Sequence, residues 1–161
     1  MCLGLSTSLQ CFMILRGNNP SNVRGKTEGS IVAFHGSASC NWYSIIRNGL
    51  RCLSRTDYMP SETAHGQGIY FSTELDIARS HSSPISGWKN GNLKGYGVVA
   101  ICEILSGQWY FVNESESCSV VPSENENDVA LRYLIVCKDE YNEKGFLTTA
   151  SHILSTETRF F

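Results

Sequence analysis

The sequence has no CxxC pair, no regular spacing of metal-ligating residues, no internal repeat and no low-complexity segment. The first two absences argue against a zinc finger or ribbon, and no metal is expected; the last two argue against a solenoid or a disordered array. Charge is also sparse, at 17% of residues, and 13 Lys and Arg against 15 Asp and Glu leave a formal net charge of −2. With no global basic field to gather phosphates, nucleic acid is not an expected partner. The opening MCLGLSTSLQCFMIL is apolar but broken by Ser6, Thr7, Ser8 and Gln10, and it lacks a basic leader and a clean small-residue cleavage site. It reads as neither a signal peptide nor a membrane span, so no membrane segment is expected in this chain.

What is present fits one domain. A chain of 161 residues supports a single core, and residues 1–161 are taken as one unit. The composition, 42% hydrophobic with 14 glycines and 7 tyrosines, favours strands and turns over long helices. The cysteines number 7, an odd set, and Cys102 and Cys137 fall inside apolar runs where a free thiol behaves as a small hydrophobe. That usage predicts a reducing compartment, hence an intracellular location, cytoplasmic or nuclear.

Along the chain, residues 17–30 form a polar, glycine-rich loop, and IVAFH (31–35) is a buried strand closed by Gly36. Ser39 or Asn41 then caps a short helix bearing Trp42, Ile45 and Ile46, with Leu50 past its end and Gly49 suited to the C′ position. Residues 51–67 have no period and contain Pro60, a long loop of the functional kind. GIYFS (68–72) is a strand, and Thr73 caps a helix over ELDIARSH whose Glu74 and Asp76 suit an N-terminus. A loop (82–95) leads to YGVVAICEIL (96–105), the longest strand, followed by WYFV (109–112), SVVP (119–122), an acidic loop SENENDV and the strand LRYLIVC (131–137). Short strands with two short helices near the front predict an α+β domain.

A histidine at a strand end, such as His35, is by itself more often a satisfied core residue than a catalyst. Gly36 behind it changes the chemistry, because a strand-end glycine lets a flat polar ligand approach one peptide closely. That peptide offers the N–H and C=O that a primary carboxamide needs. Tyr70 faces away from Ile69 and Phe71; alone it reads as a core aromatic, but with His81 at the end of the next helix it supplies two walls for a flat ring. Together with Gly36 these residues describe a slot for a flat ring bearing a carboxamide, and nicotinamide is such a ring.

HGS (35–37), Asn41, IIRNGLR (45–51), GQGIYFS (66–72) and ARSHS (78–82), in this order and spacing, resemble the catalytic domain of the poly(ADP-ribose) polymerase family of ADP-ribosyltransferases. The resemblance covers residues 31–137 and leaves 1–30 and 138–161 unassigned. It implies the ADP-ribosyltransferase fold, two packed and mainly antiparallel sheets with short helices around an NAD cleft, and NAD as substrate with no metal. It also implies that His35 bonds a ribose hydroxyl on the adenosine side and that Gly36 holds the carboxamide. Tyr70 stacks on nicotinamide, the loop 51–67 stands where the family's donor loop does, and Ser37, Asn41 and Arg51 line the adenosine half.

Departures from the family pattern carry information. The late-strand glutamate of the polymerases is replaced by Tyr133, or by Arg132 or Leu134 if the register slips by one, and that strand carries no acid. His81 replaces a second stacking tyrosine, and Ala78 a serine that bonds the carboxamide oxygen. His35, Tyr70 and Tyr133 therefore resemble the H-Y-Y branch, which implies transfer of a single ADP-ribose to a protein acceptor. The competing readings are a catalytically weak or inactive module that binds NAD or ADP-ribose, and an NAD-consuming transferase that removes a 2′-phosphate from RNA; against the latter stands the lack of a basic groove.

Overall fold

The computed structural model describes residues 9–13, 29–53, 67–82, 95–105, 107, 109–112 and 117–138. In chain order these form β1 (Leu9–Met13), β2 (Ser30–Gly36), a 3₁₀ turn (Ser39–Asn41), α1 (Trp42–Asn48), β3 (Ile69–Ser72), α2 (Leu75–Ser80), β4 (Tyr96–Leu105), β5 (Tyr110–Phe111) and β6 (Cys118–Val121). A second 3₁₀ helix (Ser123–Asp128) and β7 (Val129–Lys138) complete the order. The domain is α+β, and the strands form one seven-stranded sheet in the order β1-β7-β4-β2-β3-β6-β5, antiparallel at every pairing.

The expectation of two packed sheets meets a single hydrogen-bonded one. Its reason lies at the β2–β3 seam, which is joined through one residue pair, Phe34↔Ser72, whereas β2 and β4 pair continuously from Ser30↔Leu105 to Gly36↔Val99. The sheet is thus continuous but nearly divided there into four-stranded and three-stranded halves. Past Phe34, the backbone of His35 and Gly36 borders β3 with no ladder to close it.

β4 sits between β7 and β2, and from Gly97 to Leu105 every residue is buried. A strand covered on both faces has no need of alternation, which is why YGVVAICEIL is an unbroken apolar run. One face carries Ala33, Ile69, Phe71, Ala100, Cys102, Ile104, Val121, Leu131 and Leu134, covered by Trp42, Ile45 and Leu50 from α1 and its exit. On the other face α2 lays Leu75 and Ala78, both buried, against β2, β3 and β4. Ile46, assigned to the apolar stripe of α1 from spacing, is 42% exposed beside an exposed Tyr43, so the buried stripe of this seven-residue helix is narrower than expected.

Both helices begin without a side-chain cap. Asn41 turns its amide to Ser37 Oγ, and the hydroxyl that receives the Glu74 N–H is that of Ser72, not Thr73. Gly49 closes α1 as expected, at a positive φ of 85° with its N–H on the Ile45 carbonyl. A segment left unassigned gains a place, and one loop expectation is corrected. The opening segment supplies β1 along the outer edge of β7, from Leu9↔Cys137 to Met13↔Tyr133, and SENEND is helical instead of open loop. Most of the loops 17–30, 51–67 and 82–95 and all of 139–161 lie outside the described residues. Among the described residues no helix is long and apolar enough to cross a membrane, and no three ligating side chains come together as a metal site.

Candidate active site

His35 is the second-last residue of β2 and half-buried, its ring wedged between Phe71 (centroids 5.6 Å apart) and Trp42 (6.4 Å, edge-on). Its Nδ1 lies 2.8 Å from the Tyr70 carbonyl oxygen across the β2–β3 seam. A carbonyl only accepts, so Nδ1 carries the proton and Nε2 of the neutral ring is left as an acceptor. Burial holds the His35 pKa below its ordinary value; the bond to Tyr70 opposes this in part, and the nearby His81 adds to the lowering. The ring therefore stays neutral near pH 7, with a lone pair suited to a hydroxyl donor. Where the ladder stops, this side chain takes the place of a sheet hydrogen bond.

Gly36 has a steric reason as well as a functional one. A Cβ built on it stands 1.7 Å from the Ala78 carbonyl oxygen and 2.7 Å from its carbon, so α2 lies on the bare Cα. Beyond Gly36, β4 continues, and Ser82 Oγ accepts the Val98 N–H at 2.9 Å in a strand's stead. The backbone at the end of β2 is consequently fixed between α2 and β4.

The next residues are tied to α1. The indole N–H of buried Trp42 donates to the Ser37 carbonyl at 3.2 Å, and Asn41 Nδ2 donates to Ser37 Oγ at 2.9 Å. Arg51, its side chain half-exposed, donates to Glu126 Oε1 at 2.5 Å and contacts Asn127 Oδ1 at 3.4 Å, while Glu126 Oε2 accepts the backbone N–H of Cys52 at 3.0 Å. One carboxylate thus pins the exit of α1 to the 3₁₀ helix that precedes β7.

His35, Gly36, Ser37, Asn41 and Tyr70 are brought together at the open end of the seam, whereas Arg51 contacts Glu126 and Asn127 of the second 3₁₀ helix. His81 ends α2, exposed, near enough for its charge to act on His35. Tyr70 is half-buried between buried Ile69 and Phe71, as its alternation required. Tyr133 stands apart, on β7 with β4 between it and β2. It pairs with Ile101, which pairs with Phe34, so its Cα lies about 10 Å from that of Phe34 at ordinary strand spacing. Tyr133 is 9% exposed.

Sequence reasoning passed over Trp42 as a mere apolar residue, although a buried indole needs an acceptor. It also passed over Glu103 and Glu126. Glu103 is an acid inside an apolar run, and such a residue calls for a partner. It is 4% exposed, accepts from Ser30 Oγ at 2.7 Å on one oxygen, and receives Arg132 Nε at 2.7 Å and Nη2 on the other. This carboxylate does not stand in for the family's late-strand glutamate. Both its oxygens are engaged, and it lies four residues along β4 from Val99, the partner of Gly36, about 13 Å away.

Residues 10–130 match the protein family described as the poly(ADP-ribose) polymerase catalytic domain. The chain belongs to this family. Among curated proteins, protein mono-ADP-ribosyltransferase PARP16 is 35% identical in Mus musculus and 34% in Homo sapiens, in each case over 92 residues covering 54% of this chain and 27% of the relative. Protein mono-ADP-ribosyltransferase PARP8 of Homo sapiens is 29% identical over 148 residues, covering 74% of this chain and 17% of its own length. The chain thus spans about a quarter or less of the curated relatives it resembles. The family match and the structure agree on a PARP catalytic domain, which here is built on one antiparallel sheet with a neutral histidine across its β2–β3 seam.

Proposed function

We propose that this PARP catalytic domain is a mono-ADP-ribosyltransferase that binds NAD at the β2–β3 seam, releases nicotinamide and passes one ADP-ribose to a protein acceptor. The observation that carries the reading is the His35–Tyr70 bond at the point where the ladder opens. It leaves Nε2 as an acceptor for a ribose hydroxyl and puts Gly36, which has no ladder partner on its β3 side, next to it for a carboxamide, with half-buried Tyr70 on the neighbouring strand. The residues present therefore fit the substrate, with His81 as the second wall and Ser37, Asn41 and Arg51 on the adenosine side.

In the reaction, the bond between the nicotinamide nitrogen and the ribose anomeric carbon breaks as an acceptor nucleophile bonds to that carbon. Nicotinamide departs neutral and the nucleophile's proton, where it has one, goes to solvent. What the protein supplies is orientation and exclusion of water. With Tyr133 in the glutamate's place, that position offers no carboxylate to assist the developing positive charge or to activate a ribose hydroxyl as the next acceptor. That supports single transfer to an acceptor already nucleophilic, such as a carboxylate or thiolate. The names of the two relatives point the same way.

A second reading, an NAD- or ADP-ribose-binding module with little turnover, is favoured by one observation: Ala78, in the serine position, is buried with its carbonyl against Gly36 and offers no hydroxyl to the carboxamide. Incubation with labelled NAD, followed by mass spectrometry, separates the two. Protein-bound ADP-ribose of single-unit mass that disappears in His35→Ala is the expected result. Saturable binding with no label sinks the transferase reading, and long chains sink the mono-transfer reading.

A further inference from the structure

The pairing of β7 with β4 is interrupted once. Ile101 faces Tyr133 and Cys102 faces Leu131, so Arg132 is an extra residue, a β-bulge. The consequence shows in the faces: Leu131 and Leu134, three apart, both join the α1-side core, and Arg132 and Tyr133 between them go to the other side. An unbroken ladder alternates strictly and cannot do this. In a regular strand Tyr133 would share the face of Leu131 and turn away from the face that holds Phe34, Ser72 and α2.

The bulged residue is gripped. Arg132 Nε and Nη2 both reach Glu103 Oε2, and Ser30 Oγ closes the other carboxylate oxygen at 2.7 Å, so one buried acid ties together β7, β4 and β2. Glu103 has the parity of Ile101, the partner of Tyr133, and therefore lies on Tyr133's side of the sheet. A buried ion pair is a weak source of net stability but a strong source of registry, because no slipped pairing satisfies both charges.

We propose that Glu103 and Arg132 are a positioning pair: by holding the bulge in β7 they turn Tyr133, and not Leu134, toward the candidate NAD cleft. This rests on the reading of Tyr133 as a site residue under Proposed function. Neither member touches substrate. Their effect passes through the phase of the strand: it sends Leu134 to the α1-side core, while Arg132, on Tyr133's side, is taken up by Glu103.

Single charge removal leaves the other charge buried and alone, so the informative variant removes both, as Glu103→Gln with Arg132→Met in the full chain. Nicotinamide release is measured with NAD as the varied substrate, alongside Tm and the rise in Tm that NAD induces, and the same pair of changes is repeated in a Tyr133→Ala background. Expected are at least a tenfold loss of kcat, or loss of the NAD-induced Tm rise where turnover is too slow to follow, with less than a threefold change in KM. In the Tyr133→Ala background the pair adds no further loss. A folded double variant with wild-type kcat and NAD response, while Tyr133→Ala is impaired, overturns the positioning pair and leaves the site reading standing. Equal losses with and without Tyr133 also overturn it, since the pair then acts by another route. A neutral Tyr133→Ala overturns the site reading itself and the inference with it, as does a chain that neither turns over nor is stabilised by NAD.

Discussion

Replacing Gly36 by alanine isolates the contact on which the candidate site is built. The new Cβ falls 1.7 Å from the Ala78 carbonyl oxygen, and real Cβ contacts need about 3.2 Å or more, so α2 must retreat by about 1.5 Å at that turn. The obstacle is helix backbone and no rotamer relieves it. α2 is anchored by buried Leu75 and Ala78, and the retreat uncovers both. Overpacking of this kind costs about 1–3 kcal/mol, which in a domain of this size lowers Tm by about 2–12 °C. Binding suffers separately, because the moved helix carries His81 and borders the backbone meant for the carboxamide.

Gly68→Ala controls for stability alone: its Cβ meets Val120 Cγ1 at 2.4 Å and the Val121 carbonyl oxygen at 2.5 Å, a comparable clash at the far end of β3. Gly107, with φ +81° and open space around it, controls for backbone strain at about 1 kcal/mol. Scanning calorimetry with and without NAD reads all three. Gly36→Ala loses both Tm and the NAD-induced rise, whereas Gly68→Ala loses Tm and keeps the rise. A Gly36→Ala chain with unchanged Tm and full NAD response refutes the packing of α2 on β2 and the carboxamide assignment together.

Further outcomes follow from the same geometry. Because folding depresses the His35 pKa below 6.5, the unfolded chain binds the extra proton as pH falls below that value; stability is present above it and is lost on acidification. Urea midpoints from pH 7.5 to 5.5 decline for the native chain and decline less for His35→Gln, which retains an N–H for the Tyr70 carbonyl; parallel slopes contradict this. Trp42→Phe keeps the ring but loses the bond to the Ser37 carbonyl, costing about 1 kcal/mol in chemical denaturation and raising KM for NAD more than it lowers kcat. Arg51→Ala costs less than about 1 kcal/mol because the pair is half-exposed, while Glu126→Ala costs more because the Cys52 N–H also loses its acceptor; equal Tm losses for the two count against the double role of Glu126.

Much of the candidate site was legible because its residues act locally. Gly36 ends an apolar run, Tyr70 alternates with two core residues, and both features survive translation from sequence to strand. What escaped notice depends on pairing between distant segments. Leu9–Met13 is a broken apolar stretch with no strong strand signal of its own, and it becomes a strand only because β7 offers an edge to pair with. Matching the strand to the family pattern left Tyr133 open to a slip of one residue, and the bulge that inserts Arg132 into β7 is visible only from its pairing with β4. Glu103 was visible as an acid in YGVVAICEIL, yet its partner, 29 residues away, is identified only by the register of β4 on β7. Likewise Thr73 reads as the cap on paper, whereas the hydroxyl that takes the Glu74 N–H is that of Ser72, itself held on the Ser117 carbonyl at 2.8 Å.

The seam between β2 and β3 joins these observations. A sheet interior opened along a strand edge exposes peptide groups that must find partners. At the seam the His35 ring closes on the Tyr70 carbonyl, and past the end of β2 the Ser82 hydroxyl takes the Val98 N–H of β4, both side chains in place of strands. A side-chain closure differs from a ladder bond in having a second polar atom left over, and for His35 that atom is Nε2. The residue that stabilises the opening is therefore the one that presents an acceptor to whatever enters it. Loss of His35 removes a fold contact and a ligand contact at once, so its variants are interpretable only when Tm and NAD response are read on the same sample.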